Sequence, residues 1–280
     1  FDGQKWQFIT DFMGGGGLGS WIGPGQYAPP EPTEVVRIAP DALTQVGDRL
    51  RLSVMEPMQE ICYADRLQLL AVDHPADQSC YPEEYFSVQS DPPSGKALLL
   101  QDRDRVFPIT VRDANGRVDP DRIRKIDRIY AGPRALVPDL VGYCEDQVWE
   151  FTFESVPEGQ RVALFLDGWI EYPYSRINFA AWQGSRRLSA PTFRWRKDAG
   201  EPWQLLGEEI GYPAGMPKTM VLDVSDIVAL GAREFRIESN LELYWDRVFL
   251  ASVKEPRPVH VHTVPLHSAL LRDGGYPREY

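Results

Sequence analysis

Phe235-Arg236-Ile237-Glu238-Ser239-Asn240-Leu241-Glu242-Leu243-Tyr244-Trp245-Asp246-Arg247-Val248-Phe249-Leu250-Ala251-Ser252-Val253 decides the fold. Phe235 and Ile237 alternate with Arg236 and Glu238, the period-two pattern of a half-buried strand. Ser239-Asn240 carries turn chemistry, Leu241 and Leu243 resume the alternation, and Val248 to Val253 is a short apolar run. The stretch predicts two strands joined by a turn.

A related passage lies earlier. Tyr63-Ala64-Asp65-Arg66 matches Tyr244-Trp245-Asp246-Arg247 at an offset of 181 residues, and the offset persists to Pro75 against Pro256. Leu50-Arg51-Leu52-Ser53-Val54 precedes the first copy and Leu69-Leu70-Ala71-Val72 follows it. Internal similarity at a fixed offset predicts two related β modules; coincidence between two hydrophobic hairpins is the plainer alternative. In both copies the aspartate is suited to accept backbone N–H groups from a turn, and the arginine to pair with a neighbouring carboxylate. Asp65, Arg66, Asp246 and Arg247 are therefore expected to be structural, with a binding role as the alternative.

Working outward, 280 residues hold one large or two modest domains, and 43% apolar content supplies real cores. Gly 23 and Pro 24 favour many turns and hence β structure. Lys+Arg 30 against Asp+Glu 41 leaves a net charge of −11, with no concentrated positive surface of the kind nucleic acid needs. Nucleic acid is excluded as an expected partner. Cys62, Cys80 and Cys144 lack metal-knuckle spacing; a Cys62–Cys80 bridge stays open. No stretch reaches the length of a transmembrane helix. The start, Phe1-Asp2-Gly3, reads as the interior of a longer polypeptide or a processed terminus.

Strands are expected at Trp6–Ile9, Val35–Ile38, Val148–Glu154, Thr192–Arg196 and Thr219–Val224. The unbroken apolar run Val162 to Leu166 reads as a central strand buried on both faces. Ile123, Ile126 and Ile129 suggest a short helix over Asp121–Tyr130. Pro133 and Pro138 mark a linker, so the expected division is a first module over 1–140, a second over 141–256 and an extended tail over 257–280 that alternates like an edge strand.

Chemistry-bearing residues are sparse. No nucleophile triad stands out, because Ser175, Ser185 and Ser189 lack a Gly-x-Ser-x-Gly setting, and no catalytic residue is assigned. Asp113, Asn115 and Asp119 around Gly116 offer oxygen ligands that suit calcium, or a plain Asx turn. His260 and His262 share one strand face and would hold a metal if a third ligand joined them. Trp21, Tyr27, Trp169, Tyr172 and Tyr174 are the candidate ligand-binding aromatics, since flat groups on loops concentrate binding energy for glycans and proteins.

Several patterns occur together: Trp6-Gln7-Phe8, Gly23-Pro24-Gly25-Gln26-Tyr27, Tyr63-Ala64-Asp65-Arg66-Leu67 with Ala71-Val72-Asp73-His74-Pro75, Gly211 to Thr219, and Leu241 to Asp246. Together they resemble the C-terminal region of exported bacterial FG-GAP/VCBS repeat proteins with ASPIC/UnbV segments, akin to the cartilage acidic protein family. The resemblance spans most of residues 1 to 255. It implies an extracytoplasmic accessory or adhesion-like role and not catalysis. The chain shows no FG-GAP repeat, so no propeller calcium site carries over.

The sequence thus predicts a mainly β chain of two β-sandwich modules, jelly-roll or galactose-binding-like, with few short helices. The expected function is non-catalytic extracytoplasmic binding or assembly, recognising a glycan or a protein partner. The alternative is a β-sandwich glycoside hydrolase or another polysaccharide-acting enzyme.

Overall fold

The computed structural model describes residues 4–11, 21–27, 34–55, 66–85, 94–208, 210–213, 217–254 and 261–272. The strands in chain order are β1 (Trp21–Gly23), β2 (Gln26–Tyr27), β3 (Leu70–Val72), β4 (Gln78–Pro82), β5 (Ala97–Gln101), β6 (Thr110–Asp113), β7 (Gly116–Val118) and β8 (Tyr143–Thr152). They continue as β9 (Val162–Ile170), β10 (Thr192–Arg196), β11 (Gln204–Gly207), β12 (Lys218–Asp223), β13 (Glu234–Leu241), β14 (Leu243–Ser252) and β15 (Val261–Thr263). Two short helices, α1 (Ser175–Gln183) and α2 (Ser225–Ala229), complete a mainly β chain.

Two antiparallel sheets face each other. The larger has the order β11-β10-β13-β8-β6-β7 and the smaller the order β12-β9-β14. Alternation decides what each strand buries. Phe193 and Trp195 on β10, Trp149 and Phe151 on β8, and Phe235 and Ile237 on β13 point inward from the larger sheet. Leu164 and Leu166 on β9, Met220 and Leu222 on β12, and Val248 and Leu250 on β14 meet them from the smaller one. Each fully buried Leu or Phe side chain contributes about 1.5–3 kcal/mol to such a core.

The smaller sheet is covered on its other face too. Ala163, Phe165, Val221, Phe249 and Ala251 pack against Tyr81, Leu98 and Leu100 from the β4–β5 hairpin. Phe165 and Phe249 lie parallel, with centroids 4.7 Å apart. This third layer explains why Val162 to Leu166 carries no polar residue: both of its faces are buried.

Chain organisation departs from the sequence reading in several places. The stretch Phe235–Val253 is not a hairpin within one sheet. β13 pairs with β8 and β10 in the larger sheet, whereas β14 pairs with β9 in the smaller, so the chain crosses between sheets at Glu242. Ser239 and Asn240 stay in β13. Their side chains bind the segment before β10: Ser239 Oγ donates to Ser189 O at 2.8 Å, and Asn240 Nδ2 donates to Arg187 O at 2.6 Å. Turn-forming residues here satisfy a neighbouring loop instead of reversing the chain.

The two compact units also divide differently from a cut near 140. One comprises Phe1–Ile9, Ile38–His74 and Pro256–Tyr280; the other comprises Thr10–Arg37 and Pro75–Glu255. β6, before residue 140, pairs with β8, after it, so both sides of that cut share one sheet. Within the first unit, β15 from the tail pairs with β3 at Val261↔Val72 and Thr263↔Leu70. Trp6, Phe8, Leu52 and Val54 are exposed, and Val35–Ile38 has no strand pairing; the sandwich is built by the second unit.

The predicted helix over Asp121–Tyr130 is a 3-10 turn (Pro120–Ile123) followed by a bent, irregular segment in which Arg128 has φ 64°. Ile123 is fully buried, but Ile126 and Ile129 are exposed, since the segment runs along β14 and bridges it at Arg124↔Arg247 and Ala131↔Trp245. With Val106↔Leu250 and Leu99↔Lys254, these bridges cover the edge of β14 that β9 leaves open.

Candidate functional site: an aromatic and carboxylate strip on the smaller sheet

A β-bulge sets the site. In the β14–β9 pairing Trp245 lies opposite Gly168 and Arg247 opposite Asp167, so Asp246 is the extra residue. The bulge resets the alternation: Tyr244 and Arg247 both face away from the sandwich core, while Trp245 and Val248 both enter it. Without it, Arg247 would point between the sheets. Gly168 fits here because a Cβ would sit 2.2 Å from Tyr244 O.

Asp246 and Arg247 then do different work. Asp246 is 2% exposed, and its two carboxylate oxygens accept the backbone N–H groups of Asp127 at 3.3 Å and Arg128 at 3.2 Å. Burial raises its pKa, and these two N–H bonds work against the rise. Arg247 Nε donates to Asp167 Oδ2 at 2.7 Å and its Nη2 to Tyr81 Oη at 2.8 Å. Thr219 Oγ1 donates to the other oxygen of Asp167. The pair anchors β9, β12, β14 and the β4–β5 hairpin to one another.

Beyond the hairpin the same face continues as a strip. Trp169 lies across from Tyr244, and their rings stack with centroids 4.4 Å apart and planes 8° from parallel. Tyr130 meets both edge-on, at 6.0 Å from Trp169 and 6.4 Å from Tyr244. All three rings are half-buried, presenting part of their surface to solvent. Gly132 lets the chain pass beneath: a Cβ there would stand 2.3 Å from Tyr244 Cδ1.

Two residues further on come the carboxylates. Glu171 N donates to Glu242 O at 3.1 Å, which keeps the ends of β9 and β14 side by side. Tyr244 Oη donates to Glu242 Oε1 at 2.6 Å. Burial, and then the charge of Glu242, raise the Glu171 pKa. Burial, the bond to Glu242 and its charge hold the Tyr244 phenol protonated well above its ordinary range. The buried Cys144 thiol is pushed up to about 12, by burial first and then by Glu242, so it is not a reactive thiolate. A strip of half-buried rings ending in the half-buried Glu171 offers a sugar apolar contact area and one carboxylate to accept its hydroxyl protons, while Glu242, 8% exposed, holds the Tyr244 ring in place.

The five sequence-predicted aromatics do not gather in one place. Trp169 is in the strip. Trp21 instead packs edge-on against Phe179 and Trp182 of α1, at 5.4 and 5.9 Å. Tyr27 and Tyr174 are exposed at 61% and 42%. Tyr172 is a correction: it is 8% exposed within the core, with a side-chain hydrogen bond to Tyr212, and offers no contact surface.

The candidate metal ligands are engaged locally. Asp113 accepts the N–H of Asn115 at 2.8 Å and Asp119 that of Asp121 at 3.1 Å, the Asx-turn alternative for this loop. His262 bonds Asp73 at 2.8 Å; His260 lies outside the described residues. Among the described residues, no group of three His, Cys, Asp or Glu side chains is placed to hold a metal. Asp65 and Cys62 lie outside the described residues, whereas Arg66 is exposed and in no strand, unlike Arg247. Cys80 and Cys144 are free thiols.

Sequence reasoning missed Tyr130, Glu171, Glu242 and Tyr244 as site residues. A signal existed for three: Trp169-x-Glu171 and Glu242-x-Tyr244 each place two residues on one strand face. A cleft of about 150 Å³ near Asp113, Gly132 and Trp149 is below the roughly 300 Å³ of a small-molecule pocket. No protein-family model, no curated protein and no solved structure matches the chain. Among the described residues no helix is long and apolar enough to cross a membrane.

Proposed function

We propose that the chain is a non-catalytic glycan-binding module whose contact surface is the strip Tyr130, Trp169, Tyr244 and Glu171, with the buried Glu242 holding the Tyr244 hydroxyl from behind. The observation that carries this reading is the Trp169–Tyr244 stack beside two carboxylates on one sheet face. The rings supply apolar area at the surface they leave open, and the half-buried Glu171 accepts hydroxyl protons at its end. The resemblance to accessory regions of exported proteins agrees with an extracytoplasmic setting.

One observation favours a hydrolase as the second reading: a raised-pKa carboxyl, Glu171, stands beside a second carboxylate. Glycosidases, however, place their carboxyls on opposite sides of the scissile bond. Here neighbouring strands project both from one face, which suits binding better than cleavage.

Isothermal titration of the purified chain against a panel of neutral oligosaccharides tests the reading. Binding to at least one is expected, and Trp169→Ala should weaken it roughly thirtyfold, the ~2 kcal/mol of a hot-spot aromatic. No binding across the panel, or equal binding by Trp169→Ala, would overturn it. Oligosaccharide cleavage that disappears in Glu171→Gln would replace it with the hydrolase.

A further inference from the structure

The outer face of the larger sheet carries a pattern unrelated to the strip. Cross-strand register aligns Arg194, Arg236, Glu150, Arg112 and Arg117 in one row across β10, β13, β8, β6 and β7. Strands lie about 4.8 Å apart, so four arginines and one glutamate form a line perpendicular to the strands. Arg196, Glu234 and Glu238 flank it. Five arginines against three glutamates make this face positive in a chain of net charge −11.

The charges are unevenly paired. Arg196 meets Glu234 at 2.5 Å, Arg194 meets Glu238 at 3.1 Å, and Arg236 meets Glu238 at 2.8 Å and Glu150 at 3.8 Å. All three glutamates are thus engaged at the β10–β13–β8 end. Arg112 and Arg117, at the β6–β7 end, are exposed and directly opposite each other. Among the described residues neither has a carboxylate within ion-pair distance. Like charges directly opposite on neighbouring strands destabilise a sheet. A hairpin that keeps two guanidinium groups there fits an anion that bridges them.

We infer that this face binds an acidic polysaccharide, with Arg112 and Arg117 clamping a carboxylate or sulfate group. Guanidinium pairs recognise such planar or tetrahedral oxyanions through paired N–H donors. The next position in the row is Glu150, with Thr152 and Thr110 beside it. These groups want a hydroxyl donor, not a second anion. A ligand that alternates anionic groups with hydroxyls matches both. A nucleic acid, charged at every phosphate, would meet Glu150 and the chain's net negative charge. Trp203, which lies over Arg196 at 4.2 Å and Arg236 at 5.5 Å, adds a flat ring at the far end.

The test compares polygalacturonate, dextran sulfate, neutral dextran, poly-glutamate and double-stranded DNA by titration at low salt. Polygalacturonate or dextran sulfate should bind, any binding of neutral dextran should not depend on Arg112 and Arg117, and added salt should weaken binding of the acidic chains. Arg112→Gln/Arg117→Gln should lose about tenfold or more, the value of charge-assisted hydrogen bonds. Its melting temperature should hold or rise, because a repulsion is removed. Trp169→Ala should bind the acidic chains unchanged, which separates this face from the strip. Failure of both acidic polysaccharides to bind, or unchanged affinity in the double variant, would overturn the inference. So would a substantial fall in melting temperature, or equal binding of poly-glutamate or DNA, which would reduce the face to unspecific charge.

Discussion

Arg247→Met should be the most damaging single replacement outside the apolar core. The guanidinium is held between Asp167 and the Tyr81 hydroxyl, with side-chain exposures of 12% for Arg247 and 6% for Asp167. Met keeps most of the stem's packing over Phe249, whose ring centre is 5.1 Å from the guanidinium carbon. What it removes is the charge. Asp167 would then be left in a buried site with only Thr219 donating to it. Removing one partner of a buried pair costs about 3–5 kcal/mol, because the other charge is left uncompensated. In a unit of about 200 residues each kcal/mol moves the midpoint by about 2–4 °C, so melting should fall by roughly 6–20 °C. Urea unfolding at pH 7 would measure it, together with Asp167→Asn and the double variant. The double variant should be more stable than Arg247→Met alone, because the stranded carboxylate is gone. A cost below about 1 kcal/mol, the range of an exposed ion pair, would refute the reasoning, as would single effects that simply add.

Two further outcomes follow from the same face. Glu171 has a pKa raised by burial and by Glu242, so the folded state holds its proton to higher pH than the unfolded chain does. The sign is that stability falls as pH climbs from the unfolded value, near 4.5, through the folded one. Glu171→Gln should therefore be more stable than the parent at pH 7, with the gain vanishing below that window; thermal melts from pH 3 to 8 would show it, and parallel profiles would contradict it. Asp246→Asn keeps one acceptor for two backbone donors, leaving either Asp127 or Arg128 N–H unsatisfied. A loss of about 1–3 kcal/mol is expected, with faster amide exchange at 127 and 128; unchanged exchange would show that the loop is held by something else.

Period-two patterning made much of this fold legible. The alternation in Thr192–Arg196 and Phe235–Glu238 located β10 and β13, and the apolar run Val162–Leu166 identified the strand covered on both faces. What alternation does not carry is which sheet a strand joins. Ser239-Asn240 looked like a turn because its residues favour turns, yet their side chains cap the Arg187–Ser189 segment and the strand runs on. The spacing of Ile123, Ile126 and Ile129 matched a helical face, but β14 offered backbone partners at Arg124 and Ala131, and those long-range bridges, with the Asp246 bonds to the bend between them, prevailed. In the second copy of Tyr-x-Asp-Arg the aspartate accepts backbone N–H groups from residues 127 and 128, far away in sequence, and not from an adjoining turn. Arg66 of the first copy is exposed and in no strand, whereas Arg247 is half-buried in β14.

The location of the strip follows from the crossing between sheets. Leu241 closes β13 and Leu243 opens β14, and both are buried between the sheets, at 0% and 1% exposure. A residue held between two inward-pointing neighbours must project outward, so the crossing fixes Glu242 on the far face. Tyr244 then follows on that face by alternation, and pairing with β9 sets Trp169 opposite it and brings Glu171 alongside. The bulge at Asp246 stops the next residue from turning inward and ties the crossing strand to the loop that carries Tyr130. Four of the five strip residues are thus positioned by backbone pairing and core packing alone, before any side chain meets a ligand. A surface built this way would lose little conformational freedom on binding, which supports the proposal that recognition uses the stack and not the more exposed Tyr27 or Tyr174.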